Sequence, residues 1–137
     1  MARMSPEVAK NFLGLQKDGK LSRCPNMPNC TCSAHEDDRD HFLKPMRFKG
    51  SSDEAKSRLK SVLSKQEGFK IVEDKGNYLR VEVTSGFFKF VDDVEFHIQP
   101  AQNIIQFRSA SRLGYWDFRA NQKRMKNIIH LFEAAGR

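Results

Sequence analysis

Two short stretches of the 137-residue chain carry side chains that could do chemistry. VDDVEF, at 91–96, sets Asp92, Asp93 and Glu95 among residues of strand type. RCPNMPNCTCSAHE offers Cys24, Cys30, Cys32 and His35 as ligands or nucleophiles. A third feature is basic: Arg108, Arg112, Arg119, Lys123, Arg124 and Lys126 face the single acid Asp117 between 108 and 126. Together these suggest acid–base, metal, thiol or anion-binding chemistry.

For VDDVEF three readings stay open. Close carboxylates driven apart in pKa supply an acid and a base. Asp93, Glu95 and His97, projecting at alternate positions, would suit a transition metal or Zn²⁺. The favoured reading is a cross-strand charge ladder. Aligning the apolar residues on one face sets Glu95 opposite Arg80 and Arg108 and puts Asp93 near Glu82. The arginines also repel a cation. On an exposed sheet face each such pair is worth about 0–1 kcal/mol. Asp92 has the parity of the apolar face and needs partners there. Arg112 or backbone N–H groups of the following loop are the expected ones, in a buried structural pair rather than a catalytic acid.

The spacing C-x5-C-x-C-x2-H is none of the strong zinc signatures. A Cys24–Cys30 disulfide pinning the arm, with Cys32 left free, suits an oxidising compartment, whereas a reducing cytosol leaves three thiols. A nucleophilic cysteine with His41 as base is a further reading. No metal or other cofactor is expected.

The elements that must position these groups follow from periodicity. Ser5, Pro6 and Glu7 start a short helix that ends by Gly14. Leu15 to about Asp40 reads as an irregular arm rich in Pro, Asn and Cys. HFLKPMRFKG holds a strand that Pro45 limits to an edge or breaks. Ala55, Leu59, Val62 and Leu63 mark one face of a helix that stops at Gly68. FKIVEDKGNYLRVEVTS reads as a hairpin with Asp74, Lys75 and Gly76 as its loop and Gly76 left-handed. Strands at 90–99 and from Ile104 to Ser109 follow, and Met125, Ile128, Ile129 and Phe132 stripe a closing helix.

The order β-α-β-β-β-β-α is an α+β fold: one antiparallel sheet with two helices on one face and a largely polar second face, preceded by the Cys/Pro arm. By analogy it is TATA-binding-protein-like or helix-grip-like, which carries no function with it. One domain over 1–137 is expected, with the amino-terminal helix and arm at 1–40 and the α+β core at 41–137.

With 39% hydrophobic and 30% charged residues the composition is that of an ordinary globular chain. The apolar runs fall far short of the roughly 20 residues that span a bilayer. MARMSPEVAKNFLG lacks a secretory apolar core. The chain as given is therefore expected to be cytoplasmic, or exported or membrane-tethered if a targeting segment has been removed. A net charge of +7 permits an anionic partner. Nucleic acid is the least favoured one, since Tyr115, Trp116 and Phe118 are the only aromatics interleaved with the basic residues and serve better as loop anchors. A monomer is expected.

LSRCPNMPNC, YLRVEV, FVDDVEF, RSASRLGYWDF and NQKR together resemble the bacterial and plant family known as domain of unknown function 1499, over about residues 21 to 132. The family's pattern falls on Cys24, Pro25, Pro28, Asn29, Cys30, His41, Pro45, Asp92, Asp93, Glu95, Arg108, Ser109, Ser111, Arg112, Gly114, Asp117, Asn121 and Arg124. Cys32 stands where a serine is usual and Arg119 where a glycine is usual. The resemblance implies short proteins or domains without an established activity, many with an amino-terminal membrane or export segment. It also implies that Asp92, Asp93, Glu95, Arg108, Arg112, Asp117, Asn121 and Arg124 converge around the loop joining the strand from Ile104 to Ser109 to the last helix, with Asn121 capping that helix. The expected function is binding of an anionic small molecule or partner there. The alternatives are a hydrolase using Asp92 or Asp93, and a basic nucleic-acid module.

Overall fold

The computed structural model describes residues 11–85, 90–112 and 119–136. Its strands are β1 (Cys30–Cys32), β2 (Met46–Arg47), β3 (Phe69–Lys75), β4 (Tyr78–Ser85), β5 (Phe90–Gln99) and β6 (Ile104–Ser111). Its helices are α1 (Ser52–Ser64), between β2 and β3, and α2 (Ala120–Ala135), at the carboxyl end. The sheet is antiparallel in the order β1-β6-β5-β4-β3, with β2 pairing the other end of β6. This is the α+β fold expected from the element order.

Period-two alternation places Leu79, Val81, Val83, Val94, Phe96, Ile98, Ile105 and Phe107 on one face, all buried. Ala55, Leu59, Val62 and Leu63 of α1 and Met125, Ile128 and Phe132 of α2 close over that face. Ser51 starts α1 by accepting a hydrogen bond from the Glu54 N–H at 3.1 Å. Gly68 ends the connection to β3 with φ +81°, and a Cβ there would lie 2.4 Å from the Thr84 carbonyl oxygen, so only glycine fits.

The register agrees with the apolar alignment: Arg80 pairs Glu95, Glu95 pairs Arg108, and Glu82 pairs Asp93. The β3–β4 turn differs from expectation. Asp74 and Lys75 stay in β3, leaving Gly76 and Asn77 between the paired Lys75 and Tyr78. A bulge between Ile71 and Glu73 absorbs the extra residue, so Phe69 and Ile71 keep the apolar side. Gly76 is left-handed, with φ +57°.

Two expectations about the arm are corrected. It contains a strand, β1, because β6 extends past the reach of β2 and offers Arg108, Ser109 and Ala110 for pairing. Between β1 and β2, Ser33 completes the ladder: its N–H donates to the Phe107 carbonyl at 2.9 Å and its Oγ accepts from the Phe107 N–H at 2.7 Å. The arm also covers the second sheet face, where an exposed charge ladder was expected. Asp93, Glu95 and Arg108 are 3%, 0% and 4% exposed.

The helix expected from Ser5 lies outside the described residues except for its last four positions, 11–14, which are turn and bend. Among the described residues no helix is long and apolar enough to cross a membrane.

Candidate functional site

β5 points its acidic residues to opposite faces, and each side has its own polar network. Toward the helices, Asp92 accepts from Arg124 Nη2 at 2.7 Å. Arg124 Nη1 donates to Asn121 Oδ1 at 2.7 Å and to Ser109 Oγ at 3.1 Å, and the Ser109 hydroxyl donates to Asn121 Oδ1 at 2.6 Å. Asn121 Nδ2 then donates to the Asn29 carbonyl and to Ser111 Oγ, at 2.9 and 2.8 Å. Asp92 is thus in a buried structural pair, but with Arg124, one turn into α2, and not with Arg112. Asn121 does not cap α2. The cap position is Arg119, in the left-handed conformation at φ +61° and with no side-chain cap hydrogen bond, while Asn121 turns inward.

Toward the arm, Arg112 grips Asp93 with a two-pronged pair, Nε to Oδ2 and Nη2 to Oδ1, both 2.7 Å, and reaches Glu82 at 2.9 Å. Arg80 donates to Glu73 at 2.8 Å and to Glu82 and Asp93 at 3.2 Å. The fork on Asp93 holds the Arg112 guanidinium above its ordinary pKa. Burial pushes Glu82 up, but hydrogen bonds from Arg112 and Arg80 outweigh it and leave the carboxyl below its ordinary value.

Glu95 differs. Burial raises its pKa, partly offset by the hydrogen bonds that Tyr78 and Gly14 donate to Oε2, each 2.6 Å, while Arg108 stands 3.7 Å from Oε1. Tyr78 is in turn pushed well above the usual phenol range by burial and by that carboxylate. The expected Arg80–Glu95–Arg108 ladder is therefore right in register but redistributed in contact, Arg80 having turned to Glu73, Glu82 and Asp93.

In the arm, Cys24 and Cys30 form a disulfide and Cys32 is a buried thiol whose pKa burial raises. His41 Nδ1 lies 2.8 Å from the Asp38 carboxylate and Nε2 lies 2.6 Å from the Met27 carbonyl oxygen. With both ring nitrogens engaged, the pairing of a cysteine nucleophile with His41 has no geometry here. His35 is likewise turned to the Leu21 carbonyl, at 2.7 Å. Among the described residues no three of His, Cys, Asp and Glu are gathered to hold a metal ion.

The expected convergence is therefore divided in two: Asp92, Asn121 and Arg124 on the helix side, Asp93, Glu95, Arg108 and Arg112 on the arm side. Asp117, with Tyr115, Trp116 and Phe118, lies outside the described residues. A groove of about 490 Å³ opens between the arm and the amino end of α2, lined among others by Met27, Pro28, Arg39, Asp40, Arg119 and Gln122. Arg108 and Arg112 instead line a cavity of about 20 Å³ beneath Phe12 and Leu13.

A family model described as a protein of unknown function (DUF1499) matches residues 20–132. The chain belongs to the DUF1499 family. No curated protein and no solved structure matches it. On this DUF1499 chain the charged motifs of strands β5 and β6 build two interior networks, and the groove is walled by the cysteine arm instead.

Sequence reasoning missed Tyr78, Gly14 and Arg39. Tyr78 was within reach of it, because its parity matches Arg80 and its strand neighbour is His97, diagonal to Glu95. Gly14 and Arg39 are brought in by the path of the arm, which has no periodicity to read.

Proposed function

We propose that this DUF1499 chain is a small binding domain that takes an anionic small molecule in the groove between the cysteine arm and the amino end of α2. Arg39 and Arg119 supply positive charge and the first-turn N–H groups of α2 supply donors. Met27, 38% exposed, and Pro28 offer an apolar surface beside them. One observation carries the reading: a groove in the size range of small-molecule sites meets the amino terminus of α2, whose N-cap residue Arg119 makes no side-chain cap hydrogen bond. Arg108, Arg112 and Arg124 are assigned to the fold instead, since each faces an interior carboxylate. The disulfide between Cys24 and Cys30, which encloses Asn26, Met27 and Pro28, supports an oxidising compartment as the working location.

Calorimetric titration with inorganic phosphate, and with a panel of carboxylates and phosphomonoesters, tests the reading. Saturable one-to-one binding that weakens with salt and loses about tenfold on Arg39→Ala is expected. Arg119→Gly separates function from fold. Glycine suits the left-handed φ of +61° at this position, so the fold should remain in place while binding weakens. Absent saturation, or affinity untouched by both substitutions, refutes the proposal.

A further inference from the structure

We propose that the charged sheet face beneath residues 12–14 is a second binding site, for a peptide-type amide unit, an N–H donor beside a carbonyl acceptor, and that Phe12–Leu13–Gly14 occupies it in cis. This site shares no residue with the groove described above. The recognition is already displayed once: the Gly14 N–H donates to Glu95 Oε2, alongside the Tyr78 hydroxyl.

The occupant leaves the site half satisfied. Glu95 is fully buried, and its Oε1 has no hydrogen-bond partner among the described residues; nor has Nε of Arg108, which is 4% exposed. Arg108 lines the cavity of about 20 Å³ under Phe12 and Leu13, which has room for a single water. Arg108 Nη1 stands 3.7 Å from Oε1, an ion pair too long for a hydrogen bond, so one acceptor and one donor are left without a hydrogen bond, while Asp93 and Arg112 are committed to each other. A guest carrying both an N–H and a C=O meets both. A simple anion would meet the Glu95 and Asp93 carboxylates, and a simple cation the Arg108 and Arg112 guanidiniums.

The strap is suited to exchange. Its hydrogen bond to the sheet runs from Gly14, whereas the Gln16 side chain ties it locally to the Gly14 carbonyl at 3.1 Å. Phe12 and Leu15 on either side of Leu13 and Gly14 are 37% and 44% exposed, so the strap's apolar side chains are only partly seated. Displacing residues 12–14 would free Glu95 Oε2 of the Gly14 N–H and open the cavity that Arg108 lines, without breaking a strand.

Gly14→Pro tests this, since proline donates no N–H and cannot take φ +81°, and so lifts the strap while leaving the site intact. The probes are N-acetylglycinamide and the hexapeptide NFLGLQ, which copies residues 11–16. They are titrated into the full chain while the Arg108 Nε–H and Tyr78 amide resonances are followed by NMR. Saturable binding of either probe is expected, about tenfold tighter in Gly14→Pro than in the wild type because the competing occupant is gone. Binding of the diamide would mark small amides as sufficient; binding of the hexapeptide alone would mark an extended peptide. No shift of the Arg108 Nε–H with either probe, or equal affinity with and without the strap, overturns the proposal. Should Gly14→Pro fail to fold, wild-type hydrogen exchange decides. The probes must accelerate exchange of the Gly14 amide, and unchanged exchange, with water alone in the cavity, overturns it.

Discussion

Arg112→Ala measures whether the basic residues after β6 hold the fold or wait for a ligand. A solvent-facing arginine kept for an anion would leave stability nearly unchanged on truncation. In the structure its fork closes on Asp93, whose side chain is 4% exposed, with both contacts at 2.7 Å and a third to Glu82. Removing one partner of a buried pair costs about 3–5 kcal/mol. Arg80 stays within 3.2 Å of Asp93 and keeps part of the compensation, which places the loss near the lower end, about 3 kcal/mol. For a chain of 137 residues the unfolding entropy is roughly 0.29 kcal/mol/K, so the thermal midpoint should fall by about 10 °C. Circular dichroism melts of the wild type, Arg112→Ala, Asp93→Asn and the double variant form a cycle with a coupling of about 2 kcal/mol or more. A midpoint lowered by less than about 3 °C, with negligible coupling, would refute the scaffold assignment.

Glu95 and Glu82 should bend the pH dependence of stability in opposite directions. Glu95 is raised from 4.5 by burial, so its contribution is complete below that value and is lost as pH rises through its native pKa; Glu95→Gln should flatten this decline in urea unfolding across a pH series. Glu82 is lowered from 4.5, so its contribution is complete above that value and is lost as pH falls through its native pKa; Glu82→Gln should flatten the acid limb instead, and a reversed pattern would contradict both assignments. The Cys24–Cys30 bridge spans a sequence separation of 6, and Cys24→Ser should cost about 2 kcal/mol by chemical denaturation; identical curves for wild type with and without reductant would mean the bridge contributes nothing. Gly68→Ala drives a Cβ into the Thr84 carbonyl at a left-handed φ and should cost about 2–3 kcal/mol, checked by the same denaturation; a loss under about 1 kcal/mol would mean that the β3 entry relaxes.

Strand and helix identity after the arm, the β4–β5–β6 register and the apolar face were legible in the sequence because each depends on spacings of a few residues, whereas β1 in the arm was not. Val94, Phe96 and Ile98 have to share a face whatever else the chain does, and that alone sets Glu95 between Arg80 and Arg108. The fate of those charges was not legible. It depends on which segment lies over the second face, and the arm that does so has no repeat. Gly14 meets Glu95 across 81 residues, and Asn121 meets Asn29 across 92. Such contacts form where loop-closure entropy is offset by the packing of the whole arm, not by any local preference. The sequence therefore determined which residues would be charged neighbours on the sheet. Only the tertiary structure decided that they would be buried, that Arg124 rather than Arg112 would answer Asp92, and that the open groove would belong to the arm and the amino end of α2.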